Sequence, residues 1–222
     1  MIDLLCPTRG RPEQFKRMCE SAKATAIRDI NIIAYVDDDD TKRDEYPQDV
    51  IIGPRLSLAP AYQYLYEHST APIVMMCADD IVFRTLAWDA DVEELSPKDG
   101  IFVISYDDLG RPRREDGHPF IGRRFIEIMG YFTYPRLSHS CVDNWVVDIA
   151  KKINRYIYSD IIIEHMHPKY LKGEIDSTYL ENSKPIKQAD GAIYLGPEGQ
   201  KEIAKVIERM KGVLSDPMVP WL

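Results

Sequence analysis

Several familiar signatures are missing from these 222 residues. There is no CxxC pair: the cysteines stand apart at Cys6, Cys19, Cys77 and Cys141. Cys6 and Cys77 lie in apolar strand-like runs and Cys19 on the apolar side of a helical pattern, so they read as small buried hydrophobes in a reducing compartment. No apolar run approaches 18 residues, and no charged-then-apolar leader opens the chain, so the expected location is cytoplasmic. GKS and GKT are absent, which excludes a P-loop, and GxGxxG is absent too. There is no internal repeat, low-complexity tract or long linker. Positive charge is in deficit: 28 Lys and Arg against 36 Asp and Glu leave a net charge of -8, unlike a general nucleic-acid binder. The one basic concentration is Arg111, Arg113, Arg114, Arg123 and Arg124 in "GRPRREDGHPFIGRRF". It reads either as a receiver for an anionic ligand or as a solvated loop.

What is present has an α/β rhythm. "IDLLC" at 2–6 reads as a strand stopped by Pro7, and Pro12 opens an amphipathic helix with Phe15, Met18, Cys19 and Ala22 on one face. "INIIAYV" (30–36), "DVIIG" and "APIVMMC" read as further strands, with the helical stretch "LAPAYQYLYEH" between the last two. Near-continuous apolar strands of this kind suit a mostly parallel sheet covered on both faces. The length suits a single domain, with the regular strand–helix alternation in 1–105, a less regular part in 106–180, and a C-terminal loop and helix in 181–222. "FIEIMGYF" fits strand or helix equally, "VDNWVVDIAKKI" reads as a helix starting near Asp143, and "IYSDIIIEHMHP" as a strand ending in His165 and His167.

In parallel α/β sheets ligands collect at the carboxyl ends of strands. Three such ends carry polar clusters: "PTRGRP", "DDDD" and "ADD". Asp79 and Asp80 are adjacent like charges and call for a positive partner. With His165 and His167, two apart on an extended strand and so on one side of it, they suit Mn²⁺ or Mg²⁺ completed by ligand oxygens. A closed zinc tetrahedron would need a third histidine, and none is evident. Thr8, Arg9 and Arg11 before a helix N-terminus suit phosphate, or form a plain Gly/Pro turn. Asp37, Asp38 and Asp39 suit ribose hydroxyls or a base N–H, or form a solvated acidic turn. Asp143 reads as a helix N-cap or as a general base.

The order PTRGRP, VDDDD, an aspartate pair after an apolar strand, D-x-W, then EHMHP followed by "KGEIDSTY" resembles the GT-A-type glycosyltransferases. It is most similar to the small single-domain enzymes related to glycosyltransferase family two that bacteriophages often encode, over roughly residues 2–180. The resemblance implies a GT-A (Rossmann-like) domain with a mostly parallel central sheet and a helical C-terminal segment. It implies Asp80 with His167 or His165 as metal ligands for Mn²⁺ or Mg²⁺, and Asp143 as the base of an inverting transfer. Thr8, Arg9, Arg11, Asp37, Asp38, Asp39 and Asp79 would hold the nucleotide-sugar donor, with Lys172 on a closing loop that also carries Lys169. The implied acceptor is a hydroxymethylated base in phage DNA, reached through the arginine cluster, or a glycan or small molecule. "CADD" lacks the first aspartate of a strict DxD, and "VDNW" lacks the usual Glu-Asp pair. Two other readings use the same residues: a metal-dependent nucleotidyltransferase or phosphohydrolase, and a nucleotide-sugar binding module without turnover.

Overall fold

The apolar runs become strands whose alternate residues enter two cores, one on each face of a single sheet. A computed structural model describes residues 1–47, 49–110, 117–168, 172 and 184–215. The strands are β1 (Ile2–Thr8), β2 (Ile30–Asp37), β3 (Ile51–Gly53), β4 (Ile73–Met76), β5 (Ile81–Phe83), β6 (Val103–Asp107), β7 (Phe120–Gly122) and β8 (Tyr156–His165). The helices are α1 (Pro12–Thr25), α2 (Leu58–Glu67), α3 (Trp88–Leu95), α4 (Arg123–Met129), α5 (Val142–Lys152), α6 (Lys184–Leu195) and α7 (Pro197–Ser215). Sheet order is β3-β2-β1-β4-β7-β6-β8-β5. The β1/β2, β1/β4, β2/β3 and β6/β8 pairs are parallel, and β4/β7, β6/β7 and β5/β8 are antiparallel.

Alternation assigns the faces. Leu5, Val74, Met76, Val103 and Ile121 pack with residues of α2, α4, α5 and α7. Leu4, Cys6, Ile73, Met75, Phe102, Ile104 and Phe120 pack on the other side with α1 and α3, around the fully buried Trp88. This gives helix, sheet and helix layers, as period-two side-chain alternation requires of a strand apolar throughout.

Four boundaries differ from the sequence expectation, each for a physical reason. β1 runs through Pro7 to Thr8. The Leu5 carbonyl bonds Cys77 on the β4 side, where the β1/β4 pairing ends, so Pro7, two residues on, faces a side with no ladder to interrupt. The run around Asp79 and Asp80 forms two strands: β4 stays beside β1, while β5 pairs with β8 at the other end of the sheet order. "FIEIMGYF" resolves as helix over its first part, α4, ended by Gly130 at φ 88°. Residues 184–191, polar and expected in the loop before the C-terminal helix, are part of a helix that runs to Leu195, with Pro185 in the first turn where a missing N–H costs nothing.

Candidate functional site

The carboxyl ends of β1, β2 and β4 meet, as the clustering of polar residues at those ends suggested. Two chambers open there, of about 400 Å³ and about 460 Å³. Thr8, Arg9, Arg11, Tyr35, Asp37, Arg55, Asp79 and Asp80 line the first, and Tyr106, Asp108, Cys141, Asp143, Asn144, His165, His167 and Lys187 line the second. Leu58, Tyr62, His118 and His139 line both, so the chambers adjoin.

In the first chamber Asp79 is buried and accepts a hydrogen bond from Thr8 Oγ1 at 2.7 Å and one from Arg11 Nη1 at 3.2 Å. Burial pushes its carboxyl up to about 6; Arg11 opposes that shift and Asp80 adds to it. Asp79 therefore organises Thr8 and Arg11. Asp37 receives Arg9 Nη1 at 3.0 Å and the Leu56 backbone N–H at 3.1 Å. Burial raises its pKa, against the pull of the Leu56 N–H and Arg9. The four aspartates after β2 divide their work. Asp37 lines the chamber, Asp38 and Asp39 do not, and Asp40 accepts the Gly10 N–H at 2.7 Å, holding the "TRGR" turn. Asp39 also pairs with Arg9, which lowers its pKa.

Asp80 reaches the seam between the chambers through strand register. Ile81 pairs with His165, and the Met166 N–H donates to the Asp80 carbonyl at 2.7 Å. His165 Nε2 lies 3.3 Å from Asp80 Oδ1. The third histidine, not evident in the sequence, is His118: ligand atoms of Asp80, His118 and His165 all lie within 4.8 Å of one another. The backbone at His118 takes φ 44°, after Gly117 at φ 115°, a left-handed turn that histidine enters more readily than most residues. His167 lies past the end of β8, its ring 5.2 Å from that of His165, so the shared-strand argument covers His165 alone.

Asp143 stands in the first turn of α5 and lines the second chamber. The N-cap position belongs to Cys141, at φ 62° with no side-chain capping bond, which corrects the capping alternative for Asp143. The loop before it is held from α6. Buried Asp190 accepts the backbone N–H groups of Ser138, His139 and Ser140 at 3.0, 2.7 and 2.6 Å. Burial and the nearby Lys187 depress the His139 pKa. Asp190→Ala strands three amides at once and should cost about 2–4 kcal/mol in urea unfolding. A cost below about 0.5 kcal/mol would show that the amides find other acceptors.

Other expected residues lie elsewhere. Lys172 is paired with Glu164 at 2.8 Å and donates to the Leu109 carbonyl at 3.2 Å; it lines neither chamber. Lys169, Arg111, Arg113 and Arg114 lie outside the described residues. Arg123 is tied to the Ala71 carbonyl and Ser69 Oγ, and its backbone N–H to Pro72, at the amino end of β4 and away from the crevice. His139, Tyr35 and Arg55 carry no sequence signal that would have found them.

No protein-family model and no curated protein matches the chain. Solved structures do. A mannosyltransferase from Pyrobaculum calidifontis, in complex with GDP-Man and Mn²⁺, superposes with TM-score 0.59 at 10% identity, over 99% of this chain and 76% of that one. S. aureus TarS 1-349 in complex with UDP-GlcNAc gives 0.56 at 11%, over 95% and 72%. Glucosyl-3-phosphoglycerate synthase from Mycobacterium tuberculosis, in complex with Mg²⁺ and UDP, gives 0.56 at 12%, over 94% and 79%. The chain has the GT-A fold, with its mostly parallel curled sheet. Among the described residues no helix is long and apolar enough to cross a membrane.

Proposed function

We propose that this chain is a metal-dependent glycosyltransferase that moves a sugar from a nucleotide-sugar donor to an acceptor hydroxyl. The observation that carries the reading is the position of Asp80, His118 and His165 at the seam of two adjoining chambers. The solved neighbours bind GDP-Man, UDP-GlcNAc or UDP, two of them with Mn²⁺ or Mg²⁺. Transfer needs a place for a departing nucleoside diphosphate, a place for an incoming hydroxyl, and cationic charge between them.

The first chamber takes the nucleotide. Asp37, flanked by Arg9, accepts from ribose or base, and the turn carrying Thr8, Arg9 and Arg11 faces the diphosphate with Asp79 holding Arg11 in place. A divalent cation, Mn²⁺ or Mg²⁺, at Asp80, His118 and His165 supplies electrostatic stabilisation of the charge that grows on the leaving diphosphate. Asp143, in the second chamber, takes the proton of the acceptor hydroxyl. A base in the chamber away from the leaving group suits a single displacement, which inverts configuration. Lys172, Asp38 and Asp39 do not line the first chamber, so the donor reading rests on Thr8, Arg9, Arg11, Asp37 and Asp79.

The second chamber, at about 460 Å³, suits a single hydroxylated unit from a glycan or small molecule. A modified base in phage DNA would need a phosphate-binding surface, and Arg123 does not contribute to one. The test is a thermal-shift panel of nucleoside diphosphates and sugar nucleotides with and without Mn²⁺. A ligand at 100 times its Kd stabilises the native state by about 2.7 kcal/mol. At least one nucleotide should raise the melting temperature only when metal is present. Silence across the panel with every metal removes the donor assignment.

A further inference from the structure

We infer that the Tyr106 hydroxyl is a specificity-determining hydrogen-bond donor of the second chamber, and that it binds a hydroxyl or ring oxygen of the sugar-sized unit seated there. The inference deepens the proposed transfer and rests on that reading for one point, that this unit is the acceptor.

Tyr106 is only 4% exposed, yet it lines the second chamber. Its ring packs edge-on to Phe120, with centroids 6.1 Å apart, in the core that also holds Phe83 and Trp88. A phenylalanine would fill that place equally well, so packing does not account for the hydroxyl. Internal hydrogen bonding does not account for it either, because among the described residues no group bonds to it. The other tyrosines that line the chambers are committed. Tyr62 donates to the Cys77 carbonyl at 2.9 Å, and Tyr35 to the Pro54 carbonyl at 2.6 Å. The Tyr131 hydroxyl also has no partner, but Tyr131 lines neither chamber. Buried polar groups are normally paired, and the chamber is where Tyr106 can find its partner.

The backbone is built to hold this side chain where it is. Ser105 pairs with Tyr158 and Asp107 with Ile162, so two steps along β6 answer to four along β8. Tyr106 sits within that irregularity, a device that re-aims side chains beside functional sites. Both flanks are fixed. The Ser105 carbonyl accepts from Ser159 Oγ at 2.9 Å, and the Asp108 carbonyl accepts the His165 N–H at 3.0 Å. Burial above all, then Cys77, Asp108, Asp80 and Asp143, keeps the phenol protonated, so it meets a ligand as a donor. A ligand with an apolar group at that point would leave the phenol unpaired in a closed site, and so be rejected.

The experiment uses the full chain. Tyr106→Phe and Tyr62→Phe are first melted without ligand. Tyr62→Phe loses its bond to Cys77 and should melt below the wild type. Tyr106→Phe loses no internal bond and should melt at the wild-type temperature or slightly above it. A fall as large as that of Tyr62→Phe would show that the hydroxyl already has a structural partner, and overturns the inference. Saturation-transfer NMR then presents methyl glucoside, methyl galactoside, methyl mannoside and N-acetylglucosamine, with Mn²⁺ and either UDP or GDP present. At least one sugar should bind the wild type, and its Kd should rise about three- to tenfold in Tyr106→Phe, with the nucleotide Kd unchanged. An unaltered sugar Kd overturns the inference, as does silence of every sugar on the wild type. So does a weakened nucleotide with an unweakened sugar, a result that leaves the transfer reading standing. If neither UDP nor GDP binds, the transfer reading loses its donor, while a sugar whose affinity falls in Tyr106→Phe still upholds the role of the hydroxyl.

Discussion

Asp80→Asn should lower turnover by about 10³-fold while leaving the protein folded. Asn keeps the shape and the backbone carbonyl that accepts from Met166 at 2.7 Å, so the β5/β8 junction survives. What is lost is the one carboxylate of the triad. A bound metal contributes several kcal/mol of charge stabilisation in the transition state, and each 1.36 kcal/mol is a factor of ten. The check is turnover at saturating metal and donor, paired with melting curves with and without Mn²⁺. The variant should melt like the wild type in chelator and lose the Mn²⁺-dependent rise. Turnover within a factor of ten of wild type would mean that the centre is not where charge develops.

Asp143→Asn should produce the second largest effect, and a different pattern. Removing a positioned general base costs about 10²–10⁴ in rate. Asp143 lines the second chamber, apart from the Thr8, Arg11 and Asp37 cluster, so donor affinity and its metal dependence should be unchanged. A fall in kcat with an unaltered donor Kd is the signature, because the group acts on the incoming hydroxyl. An unaltered rate removes the base assignment. A parallel loss of donor binding would instead point to a disturbed α5 N-terminus, where Cys141 already holds a left-handed backbone.

The strand ends were readable because local chemistry determines them. An apolar run that stops at "PTRGRP" or "DDDD" leaves its polar residues at one edge of a parallel sheet, and Thr8, Arg11, Asp37 and Asp79 are found there together. What escaped the sequence depends on pairing across the chain. His118 sits in a polar stretch with no periodicity, and only the antiparallel insertion of β7 between β4 and β6 brings it to Asp80. β5 follows the aspartate pair that closes the "APIVMMC" strand, and its pairing with β8 is a long-range choice that no window reveals. Asp190 looked like one more charge on a polar loop until α6 delivered it to three amides.

The most direct measurement is the identity of the nucleotide product. The full chain is incubated with a panel of sugar nucleotides and Mn²⁺, with water or a polyol as acceptor, and phosphorus NMR follows the phosphates. Nucleoside diphosphate should appear, metal-dependent and nearly absent in Asp80→Asn. Pyrophosphate or free phosphate would instead identify nucleotidyl transfer or phosphate hydrolysis. Tight binding of an intact sugar nucleotide with no product would make the chain a binding module, and either result would contradict the account.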